Sequence, residues 1–172
     1  MKRLVFAVLG CLCFGLVSAC GGGGGGGTTT SGSSASTQQT KAVLQVSSVG
    51  SAGVKLSGVG ITIHLPSGVT PKTDSNGVVS TVVTPSGVAV GSSMTPPQYT
   101  PAQSGTPGTL SFVLASNSAA GFGPGEFVTV NLDIAPGSSV KASDFTLSDF
   151  KPIDLNYANI NGMSASFAAD IN

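Results

Sequence analysis

The chain has 172 residues, of which 40% are hydrophobic and only 8% charged, against roughly 25% charged in an average soluble domain. Once Lys2 and Arg3 are set aside, five lysines face seven acidic residues and there is no further arginine. That weakly acidic balance cannot supply the cationic stripe that neutralises phosphates, so nucleic acid is excluded as a partner. Gly (25 residues), Ser, Thr, Val and Ala fill the space left by charge. Val and Thr favour a pleated, half-buried surface and Gly and Pro punctuate turns, which points to an all-β protein.

Met1-Lys2-Arg3 is a short basic segment, and residues 4–17 (LVFAVLGCLCFGLV) form an apolar stretch of signal-peptide length. It falls short of the ~20 residues that cross a bilayer. Val17-Ser18-Ala19-Cys20 follows: an aliphatic residue, two small ones and a cysteine. This segment resembles the lipobox of bacterial lipoproteins. The resemblance implies a signal peptide over residues 1–19, a diacylglyceryl group on the Cys20 thiol, and Cys20 as the new N-terminus. Gly21, where inner-membrane lipoproteins of enteric bacteria carry Asp, leans toward an outer-membrane location in the cell envelope. Cys11, Cys13 and Cys20 are the three cysteines, so no disulfide can form beyond them.

Residues 20–40 continue with seven glycines and a Thr/Ser/Gly/Gln stretch that has no charge and no large apolar side chain. Such a segment cannot bury enough surface to offset its conformational entropy. It reads as a flexible tether with a reach of roughly 25 Å.

From residue 41 to 172 the apolar pattern has period two. Leu44 and Val46 open it. Ile61, Ile63 and Leu65 follow, then Leu110, Phe112 and Leu114. Val128, Val130, Leu132 and Ile134 form the next row, and Ala165, Phe167, Ala169 and Ile171 close the series. Each row is the signature of a strand with one face on a core. Pro66-Ser67-Gly68, Ser75-Asn76-Gly77, Pro85-Ser86-Gly87, Pro107-Gly108, Pro124-Gly125 and Pro136-Gly137 mark turns between them. Strands at this spacing predict an antiparallel two-sheet sandwich. Residues 92–107, with four prolines, read as one long loop.

The block Ser57-Gly58-Val59-Gly60-Ile61-Thr62-Ile63-His64-Leu65-Pro66-Ser67-Gly68-Val69 resembles an early strand and turn of cohesin-like domains. Residues 108–116 and 125–132 resemble their later paired strands. The resemblance spans most of residues 42–171 and consists of strand and turn patterns. It implies a jelly-roll sandwich of about nine strands, shared with related carbohydrate-binding modules. It also implies attachment to a partner protein through one sheet face, and no binding residue is carried across.

Catalysis needs a group that titrates near working pH or a bound metal. His64 is the one histidine and alternates away from the apolar row; Glu126 is the one glutamate and follows Gly123-Pro124-Gly125 at a strand start. Asp144, Asp149 and Asp154 recur every five residues and are the candidate calcium ligands, although that step sends successive side chains to opposite faces of a strand. Tyr99 and Phe122 are the candidate exposed rings for a ligand contact, and the chain has no Trp. The expectation is a non-enzymatic, envelope-anchored protein-interaction module without a cofactor. A surface carbohydrate-binding module is the alternative, and a small hydrolase or calcium-binding domain comes third.

Overall fold

The computed structural model describes residues 38–172; the lipobox with Cys20 and most of the tether lie outside them. The fold is all-β, an antiparallel sandwich. Sheet 1 runs β12 (Ser164–Ile171), β1 (Lys41–Val49), β10 (Gly125–Ile134), and then β3 (Val69–Pro71) and β6 (Val83–Pro85) share the far edge of β10. Sheet 2 runs β11 (Thr146–Ile153), β2 (Gly58–Leu65), β9 (Gly108–Ala115), with β7 (Ser93–Met94) and β8 (Gln98–Thr100) sharing the far edge of β9. A small hairpin, β4 (Thr73–Asp74) and β5 (Gly77–Val78), turns at Ser75-Asn76. No helix among the described residues is long and apolar enough to cross a membrane.

The period-two rows face each other across the sandwich. Ala42, Leu44 and Val46 of β1 and Val128, Val130 and Leu132 of β10 meet Val59, Ile63 and Leu65 of β2 and Leu110 and Leu114 of β9 in one buried cluster. All are essentially inaccessible to water, so the non-directional hydrophobic term dominates what holds the two sheets together. β1 and β10 slip register at Val46/Ser47, where the extra residue, Phe127, is also fully buried. The bulge turns Glu126 out of the core row.

Residues 92–107 are not one loop. Ser93–Met94 and Gln98–Thr100 pair with β9 as two short edge strands on either side of Pro96-Pro97. Proline lacks the amide that a ladder needs, so these residues break the edge into pieces without removing it from the sheet.

β1 defines two ends of the sandwich. At its start, the N–H groups of Thr40 and Lys41 donate to the Asn172 carbonyl at 2.7 and 2.9 Å, so the chain enters the domain beside its C-terminus. At its finish, Val49 lies opposite Ser164 and Ser48 opposite Gly125. Leu56, just before β2, bridges Phe122, just before β10. Ser57 N–H donates to the Ile153 carbonyl at the end of β11. The loops around residues 50–57, 86–92, 116–124 and 154–163 therefore meet at the end opposite chain entry.

Candidate functional site

Six large hydrophobic side chains stand exposed among the described residues: Val49, Val88, Val90, Val113, Leu155 and Tyr157. Five of them, all but Val113, sit at the loop end just described. Single exposed apolar residues are ordinary, but several gathered in one place mark interaction surfaces.

Four of the five, all but Val49 at the end of β1, are held there by their loops. After Pro85 the chain turns through Ser86 into a short 3-10 segment, Gly87–Ala89. Gly87 has φ +53, and a Cβ there would collide with the backbone of Glu126. This close approach presses the segment onto β10 and points Val88 at Gly125. Val90 follows at 74% exposure. Asn117 ties the neighbouring loop to this one: its amide donates to the Gly91 carbonyl, and its Oδ1 accepts from Ser93 Oγ, both at 2.7 Å. Between the two loops lies an open cleft of roughly 320 Å³, lined by Val88, Val90, Ser92, Ser116, Asn117 and Phe122.

Residues 154–158 form the neighbouring projection. Asp154 Oδ1 accepts the N–H groups of Asn156 and Ala158, both at 2.8 Å, and Tyr157 N–H donates to the Asp154 carbonyl at 3.1 Å. This cap holds Tyr157 at φ 63, with the residue 86% exposed. A bulky residue in the left-handed region costs of order 1–3 kcal/mol and persists only where the surroundings impose it. Leu155, on the same loop, lies against Gly121, which also lines the cleft. The projection and the cleft are thus neighbours on one tip.

The outer face of sheet 2 is a second, flatter surface. Gly60 leaves a shallow depression of roughly 250 Å³ among Thr62, Ser111, Val113, Asp149 and Lys151. Toward its edge, His64 Nε2 shares a hydrogen bond with Ser148 Oγ at 2.7 Å, and Ser148 Oγ donates to Asp149 Oδ2 at 3.2 Å. A nucleophilic serine needs its proton directed at the imidazole and a carboxylate behind the ring. Here the carboxylate touches the serine, and a hydroxyl that donates to Asp149 must accept from His64. The arrangement fixes three side chains on a sheet face.

The residues singled out from the sequence are scattered. Phe122 is 5% exposed and belongs to the core, contrary to the expectation of an exposed ring: its bridge to Leu56 draws it inward. Tyr99 stands in β8 opposite Leu110, half-buried against the core, and burial pushes its phenol above the usual 10.0. Asp144 Oδ2 accepts from Lys141 N–H at 2.9 Å, Asp149 bonds Ser148, and Asp154 caps its own loop. The three carboxylates serve separate turns, and the described residues contain no group of three His, Cys, Asp or Glu able to hold a metal ion. Nor do Asp144, Asp149 and Asp154 share one regular strand: β11 starts after Asp144 and breaks register around Asp149, at φ 51. Glu126 accepts from Ser86 Oγ at 2.5 Å and from Thr129 Oγ1 at 3.3 Å, which braces the tip from below.

Tyr157, Val88 and Val90 were not legible as site residues. The Pro85-Ser86-Gly87 turn marks a loop before Val88 and Val90 but does not report exposure, and none of the turn signals falls near Tyr157. Comparison with protein-family models, with curated proteins and with solved structures returned no match.

Proposed function

We propose that this protein is a non-enzymatic, envelope-tethered binding module that holds a partner protein at its loop tip. The observation that carries the reading is the concentration of five exposed apolar side chains at the end opposite chain entry. Tyrosines that become buried at the centre of an interface are common binding hot spots, and Tyr157 is already fixed in its projecting position. Its loop would lose little conformational freedom on binding, which lowers the cost of association. The cohesin-like strand pattern and a lipid on Cys20 fit the same reading: an anchor, a tether, a rigid sandwich and a presented tip.

The test is capture from envelope extracts with the full chain, alongside Tyr157→Ala and Val90→Asp variants. A partner retained by the native chain and lost by both variants supports the tip. A partner retained equally by both variants moves the interface elsewhere, with the outer face of sheet 2 next in line.

A carbohydrate-binding role is the second reading, and one observation favours it: the Tyr157 ring is free on its exposed faces. Aromatic faces can present flat apolar area beside a polar handle. Glycan binding that disappears in Tyr157→Ala, with no protein captured, would replace the first reading.

A further inference from the structure

Four edges bound the two sheets, and three of them are blunted. β3 and β6 are three residues each and end in Pro71 and Pro85. β7 and β8 are two and three residues long, separated by Pro96-Pro97 and followed by Pro101. β11 breaks register between Ser148 and Lys151 and carries Lys151 and Pro152 at its end. Short strands, prolines, bulges and lysines are the devices by which proteins keep edges from pairing with other chains. β12 has none of them. It is eight residues long (SASFAADI), pairs with β1 without a register break, and has Asp170 as its only charge. No described strand covers its other side.

Its inner row is also incompletely covered. Ala165, Phe167, Ala169 and Ile171 are only half-buried, where the corresponding rows of β1 and β10 are closed. An open groove bounded by Phe145, Leu147, Ala165 and Phe167 runs between β11 and β12.

We propose that β12 pairs antiparallel with β12 of a second copy, joining two sheets 1 into one continuous sheet. The phase of the existing ladder constrains the pairing. Lys41 and Asn172 exchange both backbone hydrogen bonds, at 2.9 and 3.0 Å. In an antiparallel ladder such pairs alternate with non-bonded ones. Residues 164, 166, 168 and 170 therefore spend their backbone groups on β1, and residues 165, 167, 169 and 171 aim theirs at the free edge. Self-pairing must set the second group opposite itself.

Side-chain size then selects the register. Centring on Ala168 places Phe167 opposite Ala169 of the second copy and Ile171 opposite Ala165, large against small along the inner row. On the outer row Asp170 falls opposite Ser166 and no like charges oppose each other. Centring on Phe167 sets two phenyl rings opposite one another; centring on Ala169 sets Phe167 against Ile171. The chosen register forms about eight interchain backbone bonds and has the two-fold symmetry of an isologous contact.

The register makes Ala168 a non-bonded pair with its own copy, where Cα atoms lie about 4.5 Å apart, within the range a disulfide spans. The test uses the full chain with Cys11, Cys13 and Cys20 replaced by serine, so that an added cysteine is the only thiol. Ala168→Cys should link into covalent dimers under mild oxidation, and Ser166→Cys should not, because its own copy is displaced along the strand. Without added cysteine, the same chain should sediment as a dimer, and Ala168→Lys should halve that mass while leaving the circular dichroism unchanged. A monomer at all concentrations, or equal linking at positions 166 and 168, or a dimer indifferent to Ala168→Lys, would overturn the proposal.

Discussion

Tyr157 combines strain and exposure, so its removal separates stability from binding. Glycine accepts φ 63 freely, and relief of that strain offsets the extra freedom that glycine gives the unfolded chain. Tyr157→Gly should therefore leave the urea midpoint unchanged or raise stability by up to about 1 kcal/mol. Partner affinity should fall by about 2 kcal/mol or more if the ring is an anchor. Loss of both together would make Tyr157 structural. Tyr99 gives a residue-level prediction in pH. Its folded phenol titrates above the ordinary 10.0 because burial penalises the phenolate. Below that value both folded and unfolded chains hold the proton, and the group adds no pH dependence. As pH rises from there toward the raised folded value, the unfolded chain releases its proton first and stability falls. Tyr99→Phe should flatten that alkaline decline, measured as urea midpoint against pH, and leave the neutral midpoint little changed. These residue properties were poorly legible in the chain itself. An aromatic in a Gly- or Pro-rich stretch reads as exposed, yet Phe122 is pulled inward by a backbone bridge and Tyr99 is a strand residue. Both outcomes depend on pairing partners many residues away.

Among the elements, the long strands were legible and the short ones were not. β1, β9 and β12 alternate along their whole length, and β2 and β10 do so from Val59 and Val128 onward, which is long enough for the period to stand out. β11 is as long, but its register break around Asp149 shifts the apolar positions and erases the period. β3, β6, β7 and β8 are two or three residues each, too short for any periodicity. They exist because β9 and β10 offer them unpaired edges. The uneven closure of the sandwich predicts an uneven mutational response. Leu132 is 1% exposed at the centre of sheet 1, and Leu132→Ala should cost about 2–5 kcal/mol, transfer and cavity terms together. Phe167 is larger, but it lies half-buried on the open seam with one edge-on ring contact to Phe145, centroids 6.4 Å apart. In the monomeric Ala168→Lys chain, Phe167→Ala should cost less than Leu132→Ala, because the groove beside it is open to water. Chemical denaturation of the two variants checks the order. With Ala168 intact the loss at Phe167 should be larger than in the Ala168→Lys chain, because pairing of β12 with a second copy covers its inner row.

At the scale of the whole molecule, the two ends of the sandwich divide the work. Chain entry is fixed by Thr40 and Lys41 on Asn172 and by Gln39, whose amide accepts from Val140 N–H at 2.8 Å and donates to its carbonyl at 3.1 Å. The apolar tip lies at the other end. If the chain is anchored upstream of Gln39, the pull enters at this clamped end of the sandwich. If Cys20 carries acyl chains, each buried CH₂ contributes ~0.8 kcal/mol, and two or more chains hold a protein to a bilayer stably. Cys20→Ser should then move the chain from the membrane pellet to the soluble fraction, and intact mass should lose the acyl increment. The affinity of the tip for its partner, measured with soluble partner, should not change. Avidity for a membrane-bound partner should fall, because tethering raises effective concentration without making a new contact. A Cys20→Ser chain that stays in the pellet would put the attachment elsewhere, and the tip itself, with its five exposed apolar side chains, would be the first surface to test for it with lipid vesicles.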